Sequence, residues 1–260
     1  MNFGLSNKVV IVTGGATGIG KAMARAFHEE GAIVVTNGRD EGKLKKALPE
    51  IGERAHGLRA DLTKLEDNQA LFDFARSLGP IEVLVNNIGI FESRSFFEFT
   101  DADWQQYFDF NVMTGVRMSR LVLRDMLDRN SGAILFISSD AAIKAIPWMV
   151  PYSMTKAAQL GLARALAEMT KGTKVRVNTL MPGPTATESV REYFGQIAQQ
   201  KGVSLDEVVA NYFKEEEPSS LLQRLIDPAW PGQAAVALAT NPAINGSVLR
   251  CEGGIVRSSY

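Results

Sequence analysis

Short β-branched apolar runs alternate along this chain with longer stretches in which apolar positions recur at helical spacing. Residues 8–13 (KVVIVT), 32–37, 56–61, 81–86, 132–138, 174–180 and 246–251 read as strands. Residues 19–30, 39–50, 64–77, 101–129, 152–170 and 233–240 read as helices, with Gly31 closing the first and Gly79-Pro80 the third. The run 81–86 is apolar except for Glu82, the mark of a strand covered on both faces. Such alternation predicts an α/β fold with a Rossmann-type, doubly wound parallel sheet. About seven strands, helices on both faces and right-handed crossovers are expected. The rhythm breaks after Met181. Residues 182–231 carry helical pieces, prolines and the acidic run Glu215-Glu216-Glu217, but no strong strand. An interruption this long inside a compact unit predicts a helical lid over 184–231, inserted within a single domain spanning 1–260. The acidic run is expected to be a solvated face.

Composition narrows the function classes. The chain has 260 residues, 45% of them hydrophobic, and a formal net charge of −1. No basic surface points to nucleic acid, and no polybasic stretch points to a membrane. The apolar runs are too short to span a bilayer, and the first five residues lack the pattern of a signal peptide. The one cysteine, Cys251, has no internal partner, which fits a reducing cytoplasm, and it is expected to be an inert buried thiol. His28 and His56 have no partners at metal-ligand spacing, so no metal is expected and both read as incidental and surface-leaning.

The first strand runs directly into Thr13-Gly14-Gly15-Ala16-Thr17-Gly18-Ile19-Gly20 and then a helix. Glycines at 14, 18 and 20 allow a tight turn and a close backbone approach to a pyrophosphate. The helix start supplies N–H donors and a favourable dipole. This strand–turn–helix context predicts a dinucleotide site. The second strand ends Thr36-Asn37-Gly38-Arg39, without the acidic residue that holds the ribose 2′-OH of NAD. Arg39 suits a 2′-phosphate, so NADP is expected over NAD. Asp40 is expected to cap the next helix.

Tyr152 and Lys156 lie four residues apart on a predicted helix and share a face. An ammonium beside a phenol favours the phenolate and lowers the pKa from its usual value of about 10. A phenol tuned this way performs acid–base chemistry, and Ser139, preceded by Ser138, can hold the oxygen being protonated. Taken singly, Ser139 would serve as a turn cap, Asn111 as a helix-surface amide and Lys156 as a solvated charge. Their joint order with Tyr152 points to a site.

These residues resemble the short-chain dehydrogenase/reductase family, in its ordinary single-domain branch, over nearly the whole chain. The matching pieces are the 13–20 loop, Asp61-Leu62, Asn86-Asn87-Ile88-Gly89, Asn111, Ser139, Tyr152 to Lys156, Pro182-Gly183, Thr187, and the closing Asn245-Gly246 and Gly253-Gly254. The resemblance implies hydride transfer between a nicotinamide and a carbonyl or secondary alcohol. It implies Tyr152 as the general acid of reduction, with Lys156 lowering its pKa and bonding the nicotinamide ribose. Ser139 orients the carbonyl, Ser138 being the less favoured choice, and Asn111 bends its helix and holds a water in a relay to Lys156. The resemblance implies that Gly14, Thr17, Gly18, Ile19 and Gly20 cradle the cofactor. Asp61 and Leu62 flank adenine, Asn87 and Gly89 line the adenosine ribose, and Pro182, Gly183 and Thr187 (or Thr185) meet the nicotinamide. It also implies a homotetramer or homodimer. Ile88 replaces the family's usual alanine, and Pro228-Ala229-Trp230-Pro231-Gly232 replaces an acidic helix start.

The substrate pocket is expected from Ile90, Phe91 and Glu92, from residues 141–150, and from the lid. Phe91, Trp148, Met149, Tyr193 and Phe194 give it an apolar character, or else pack the lid. A 3-oxoacyl thioester is the substrate suggested by family analogy. The other readings are an NAD-linked alcohol dehydrogenase and a catalytically idle dinucleotide-binding protein.

Overall fold

A computed structural model describes residues 3–258; Met1, Asn2, Ser259 and Tyr260, the ends of the expected domain, lie outside the described residues. Seven strands form one parallel sheet in the order β3-β2-β1-β4-β5-β6-β7. They are β1 (Val9–Val12), β2 (Ile33–Gly38), β3 (Ala55–Arg59), β4 (Ile81–Asn86), β5 (Gly132–Ile137), β6 (Val175–Pro182) and β7 (Val248–Cys251). The helices are α1 (Gly18–Glu29), α2 (Glu41–Ile51), α3 (Leu65–Leu78), α4 (Asp101–Phe108), α5 (Thr114–Arg129), α6 (Val150–Glu168), α7 (Glu188–Lys201), α8 (Leu205–Glu215) and α9 (Ala229–Thr240). The expected strands are all present, as are the expected helices apart from 101–129, with boundaries shifted by a few residues.

The alternation of the central strands sorts the core into two layers. Val10, Val12, Val83, Val85 and Leu135 face Met23 and Phe27 of α1 and Ala235 and Val236 of α9. Val9, Ile11, Leu84, Ile134 and Phe136 face Leu71 of α3, Met118, Val122 and Met126 of α5 and Ala163 of α6. Successive strand residues point to opposite faces, so a strand with no polar position requires helices on both sides. Burial of each large apolar side chain here contributes about 1.5–3 kcal/mol. The chain order reverses between β1 and β4, and the carboxyl ends of these strands open a crevice there, where open α/β sheets bind ligands.

One expected element differs. The single helix 101–129 is broken by a π turn at Asp109–Met113. Asn111 is the cause. Its Oδ1 accepts from Ile90 N at 2.7 Å, and its Nδ2 donates to Ile90 O at 3.1 Å and to Thr155 Oγ1 at 2.9 Å. These bonds draw the side chain out of the helical path, and the widened turn accommodates it. Thr114 Oγ1 donates to Phe110 O at 2.7 Å within the same turn.

After Pro182, α7 and α8 pack on each other through Phe194, Ala198 and Val208, with Ile197, Val203 and Tyr212 around them. This small cluster is separate from the two core layers. Ser204 and Thr187 cap α8 and α7. The unusual start of α9 keeps an acidic cap one step earlier: Asp227 Oδ1 accepts from Ala229 N at 2.9 Å. Gly232 then allows a close crossing, because a Cβ there would sit 3.0 Å from Ala22 O of α1. Among the described residues, no helix is long and apolar enough to cross a membrane.

Candidate active site

The glycine loop is built by hydrogen bonds from neighbouring strand ends. Gly14 N donates to Asn37 Oδ1 at 3.1 Å and Gly15 N to Thr36 Oγ1 at 2.8 Å. Asn87 Nδ2 donates to Thr13 O at 3.0 Å, and Asn87 N to Thr13 Oγ1 at 2.9 Å. Asn37 is buried, its Nδ2 also engaged with Ala60 O at 3.1 Å, and β2 ends one residue later at Gly38 with no carboxylate there. Gly18 has a φ of +56°, which only glycine adopts without strain. Gly20 is required by close approach: a Cβ there would lie 2.5 Å from Asn87 Nδ2 and 2.6 Å from Gly14 O. No side chain caps α1, whose first residues line the crevice.

A cavity of about 1080 Å³ runs from this loop across the sheet edge to α7 and α8. It is large enough for a dinucleotide and a small substrate together. Gly14, Thr17, Gly18, Ile19, Gly20, Arg39, Asp61, Leu62, Asn87, Gly89, Ser139, Tyr152, Lys156, Pro182, Gly183, Thr185 and Thr187 all line it. Asn111 does not; it is buried behind the wall. Of the predicted pocket residues, Ile90, Phe91, Glu92, Ile146, Trp148, Met149, Tyr193 and Phe194 contribute, whereas 141–145, Pro147 and Val150 do not line the cavity.

At the adenosine end, Arg39 is exposed, with its guanidinium 4.9 Å from the centroid of Phe110. Asp40 caps α2 as expected, accepting from Lys43 N at 3.0 Å. Asp61 accepts from Thr63 N and Oγ1, at 3.1 and 2.8 Å. Thr187 sits over the glycine loop, its Cγ2 3.4 Å from where a Gly18 Cβ would lie. Thr185 is buried and donates to Gly183 O at 2.8 Å.

At the other end, Ser138 and Ser139 diverge. Ser138 Oγ donates to Lys156 O at 2.8 Å and ties β5 to α6. Ser139 faces the cavity, accepts from Ala141 N at 3.2 Å and donates to Asp140 Oδ1 at 2.8 Å. Phe91 packs edge-on to Tyr152, with ring centroids 6.0 Å apart. Lys156 is buried, not solvated. Its Nζ donates to Ile137 O at 2.7 Å and Gln159 Oε1 at 3.3 Å, and lies 5.6 Å from the Tyr152 ring centroid.

The electrostatics correct one expectation. Burial pushes the Tyr152 phenol above its ordinary pKa, opposed by its interaction with the Ser139 hydroxyl, so the predicted depression by Lys156 does not appear. The same burial lowers Lys156 to about 7, which removes much of the ammonium charge near neutral pH. The backbone of Asn111 has a further partner. Its carbonyl accepts from Gln159 Nε2, and Gln159 Oε1 in turn accepts from Lys156, so a side chain links the π turn to the lysine.

The acidic run is not a uniform solvated face. Glu217 is 5% exposed and pairs with Lys144 on the loop after β5, whereas Glu215 and Glu216 are exposed. Glu217→Gln is expected to loosen the segment after α8, raising substrate KM more than it lowers kcat. Equal KM values for the variant and wild type would remove the tie. Cys251 is half-buried, with its thiol pKa raised by burial, as befits an inert group. His28 is half-buried and accepts from Arg54 N at 3.4 Å, so it has a local structural contact.

The sequence model of the short chain dehydrogenases matches residues 8–197. The chain belongs to the short-chain dehydrogenase/reductase family. It is 45% identical over 99% of its length to the whole of the uncharacterized oxidoreductase YvrD of Bacillus subtilis (strain 168). It is 30% identical over 96% of its length to a 3-oxoacyl-[acyl-carrier-protein] reductase of Vibrio harveyi, covering 98% of that protein. Among solved structures, L-sorbose reductase from Gluconobacter frateurii, complexed with NADPH and L-sorbose, superposes with a TM-score of 0.93. That match is 28% identical and covers 99% of this chain and 100% of the other. This short-chain dehydrogenase/reductase is therefore an oxidoreductase that acts on CH–OH or carbonyl groups with NAD(P).

Four structural supports were not read from the sequence: Asn37, Thr36, Gln159 and Asp140. Gln159 stands three residues after Lys156 and so shares its helical face, a signal that was available. Asp140 follows Ser139 directly. The other two are strand-end residues whose bonds to the loop arise only from sheet register.

Proposed function

We propose that this chain is an NADP(H)-dependent reductase that converts a ketone to a secondary alcohol, with Tyr152 as general acid. The carrying observation is the single cavity joining the glycine loop and Arg39 to Tyr152 and Ser139. Its residues fit a dinucleotide: glycines where a Cβ would collide, a helix start without a capping side chain, and Arg39 beyond the end of β2. When bound, the nicotinamide supplies the hydride. Everything else falls to the chain.

In this reading Tyr152 holds the proton that goes to the substrate oxygen. A pKa raised by burial keeps the phenol protonated at neutral pH, the form required for reduction. Ser139 donates to the same oxygen, as charge develops on it. Lys156, held by Ile137 O and Gln159 and lining the cavity, would bond the nicotinamide ribose. Asn111 acts from behind the wall, holding Ile90 and, through Gln159, Lys156. Asp61, Leu62, Asn87 and Gly89 serve the adenosine half, and Pro182, Gly183, Thr185 and Thr187 the nicotinamide half. Residues 184–231 act as the substrate lid of a single domain. Two of the similar proteins are named as reductases, of a 3-oxoacyl-[acyl-carrier-protein] and of L-sorbose, which supports a ketone substrate.

The cofactor preference rests on Arg39 and on the absence of an acidic residue at the end of β2, Thr36-Asn37-Gly38. Arg39→Ala is expected to weaken NADPH binding by about 10- to 150-fold, the worth of a hydrogen bond to a charged group, and to leave NADH binding unchanged. Titration of cofactor fluorescence checks this. An unchanged NADPH affinity would favour the second reading, an NAD-linked alcohol dehydrogenase, for which the exposure of Arg39 is the observation in support. Tight NADPH binding with no turnover of any ketone or alcohol would indicate an idle binding protein.

A further inference from the structure

Ser139 has one proton and two claimants. The substrate oxygen needs it during reduction, yet Ser139 Oγ donates to Asp140 Oδ1 at 2.8 Å. The other side of the hydroxyl is occupied by Ala141 N, which donates to it at 3.2 Å. The turn is fixed around Asp140, whose carbonyl accepts from Ile143 N at 3.0 Å and Lys144 N at 2.8 Å. Asp140 is 6% exposed and lines the cavity beside Ser139. Nothing in the catalytic assignment above uses this carboxyl.

We propose that Asp140 is a positioning residue: in its neutral form the carboxyl donates to Ser139 Oγ and releases the Ser139 proton toward the substrate carbonyl, and when ionised it holds that proton back. The proposal rests on the reductase reading. It adds no reaction step. One proton moves onto the Asp140 carboxylate from solvent and stays there through turnover, while Tyr152 supplies the proton that ends on the product.

The surroundings shift Asp140 toward its neutral form. Glu217 from the segment after α8 and Glu252 from the end of β7 both face it with negative charge. Tyr212 of α8 and Tyr152 of α6 are the other titratable groups against it. Lys144, on its own loop, is the nearby cation, and its ammonium is bound to Glu217. Burial, with these two carboxylates, raises Asp140 to about 6 against the hydrogen bond from Ser139. The sign follows. Below about pH 6 the carboxyl is neutral and Ser139 is free to bond substrate. Above it, Asp140 is ionised and becomes a stronger acceptor for the Ser139 proton.

The test is the pH profile of NADPH-dependent reduction, from pH 5 to 8, of the first ketone that a substrate panel turns over. In wild type, kcat is expected to fall to a lower plateau as pH rises through about 6. Asp140→Asn has no ionisable carboxyl and an amide that donates at every pH, so that limb is expected to vanish. Any limb near 7 from Lys156 remains in both proteins. Asp140→Ala removes both the donor and the competing acceptor, so its kcat is expected to be flat through pH 6 and to lie on the order of tenfold below the acid-side plateau of wild type, the worth of one hydrogen bond. A limb near 6 that survives in Asp140→Asn overturns the proposal while leaving the reductase reading intact; absence of all ketone turnover overturns both. Should the variants not fold, carbon-13 carboxyl spectra of aspartate-labelled wild type decide. One aspartate titrating near 6 is expected, and every aspartate titrating below 5 would overturn the assignment.

Discussion

Tyr152→Phe is expected to lower ketone reduction by about 10²- to 10⁴-fold, the usual contribution of a positioned general acid. NADPH binding should change little, because phenylalanine keeps the ring that packs edge-on to Phe91 and removes only the hydroxyl. The loss should fall on kcat, since the proton is transferred only in the transition state. The pH behaviour carries a sign. A phenol raised by burial gives up its proton only above its ordinary range, so Tyr152 should not limit reduction on the alkaline side near neutrality. An inflection near 7 is instead expected from Lys156. Steady-state kinetics and a cofactor titration of the variant check both parts. Retained turnover would remove Tyr152 from the chemistry.

Gly20→Ala should act at the opposite end of the cavity. The new methyl group would lie 2.5 Å from Asn87 Nδ2 and 2.6 Å from Gly14 O. Neither can yield cheaply, because Asn87 Nδ2 is bonded to Thr13 O and Gly14 is held by Asn37. Overpacking of this kind costs about 1–3 kcal/mol. If that cost falls on the loop in its binding geometry, NADPH affinity drops by about 5- to 150-fold. The thermal midpoint should also fall, and saturating NADPH should recover part of it through linkage. An affinity equal to wild type would show that the loop does not need this close approach.

The fold was legible because the strands are apolar on both sides and the breakers fall between elements. Strand order was less so, since the β1–β4 reversal depends on packing, although the family resemblance carried it implicitly. The break in the helix 101–129 could not be read from periodicity. Its cause is a set of bonds from Asn111 to Ile90 and Thr155, far away in sequence. At the site, residue identities and spacing placed nearly every expected residue along one cavity. The ionisation of those groups was not legible. Local spacing suggested that Lys156 would make Tyr152 acidic, but burial acts on both groups and dominates. Glu217 shows the same limit: its sequence neighbours are solvated carboxylates, and only the tertiary structure brings Lys144 to it.

The most direct test of the account is the rate of NADPH and NADH oxidation by wild-type protein against a panel of ketones that includes L-sorbose and a 3-oxoacyl thioester. Ketone-dependent oxidation of NADPH is expected, with kcat/KM at least about tenfold above that for NADH, as one charge-assisted hydrogen bond from Arg39 would give. Oxidation of NADH at an equal or higher kcat/KM, or no ketone-dependent oxidation of either cofactor, would contradict it.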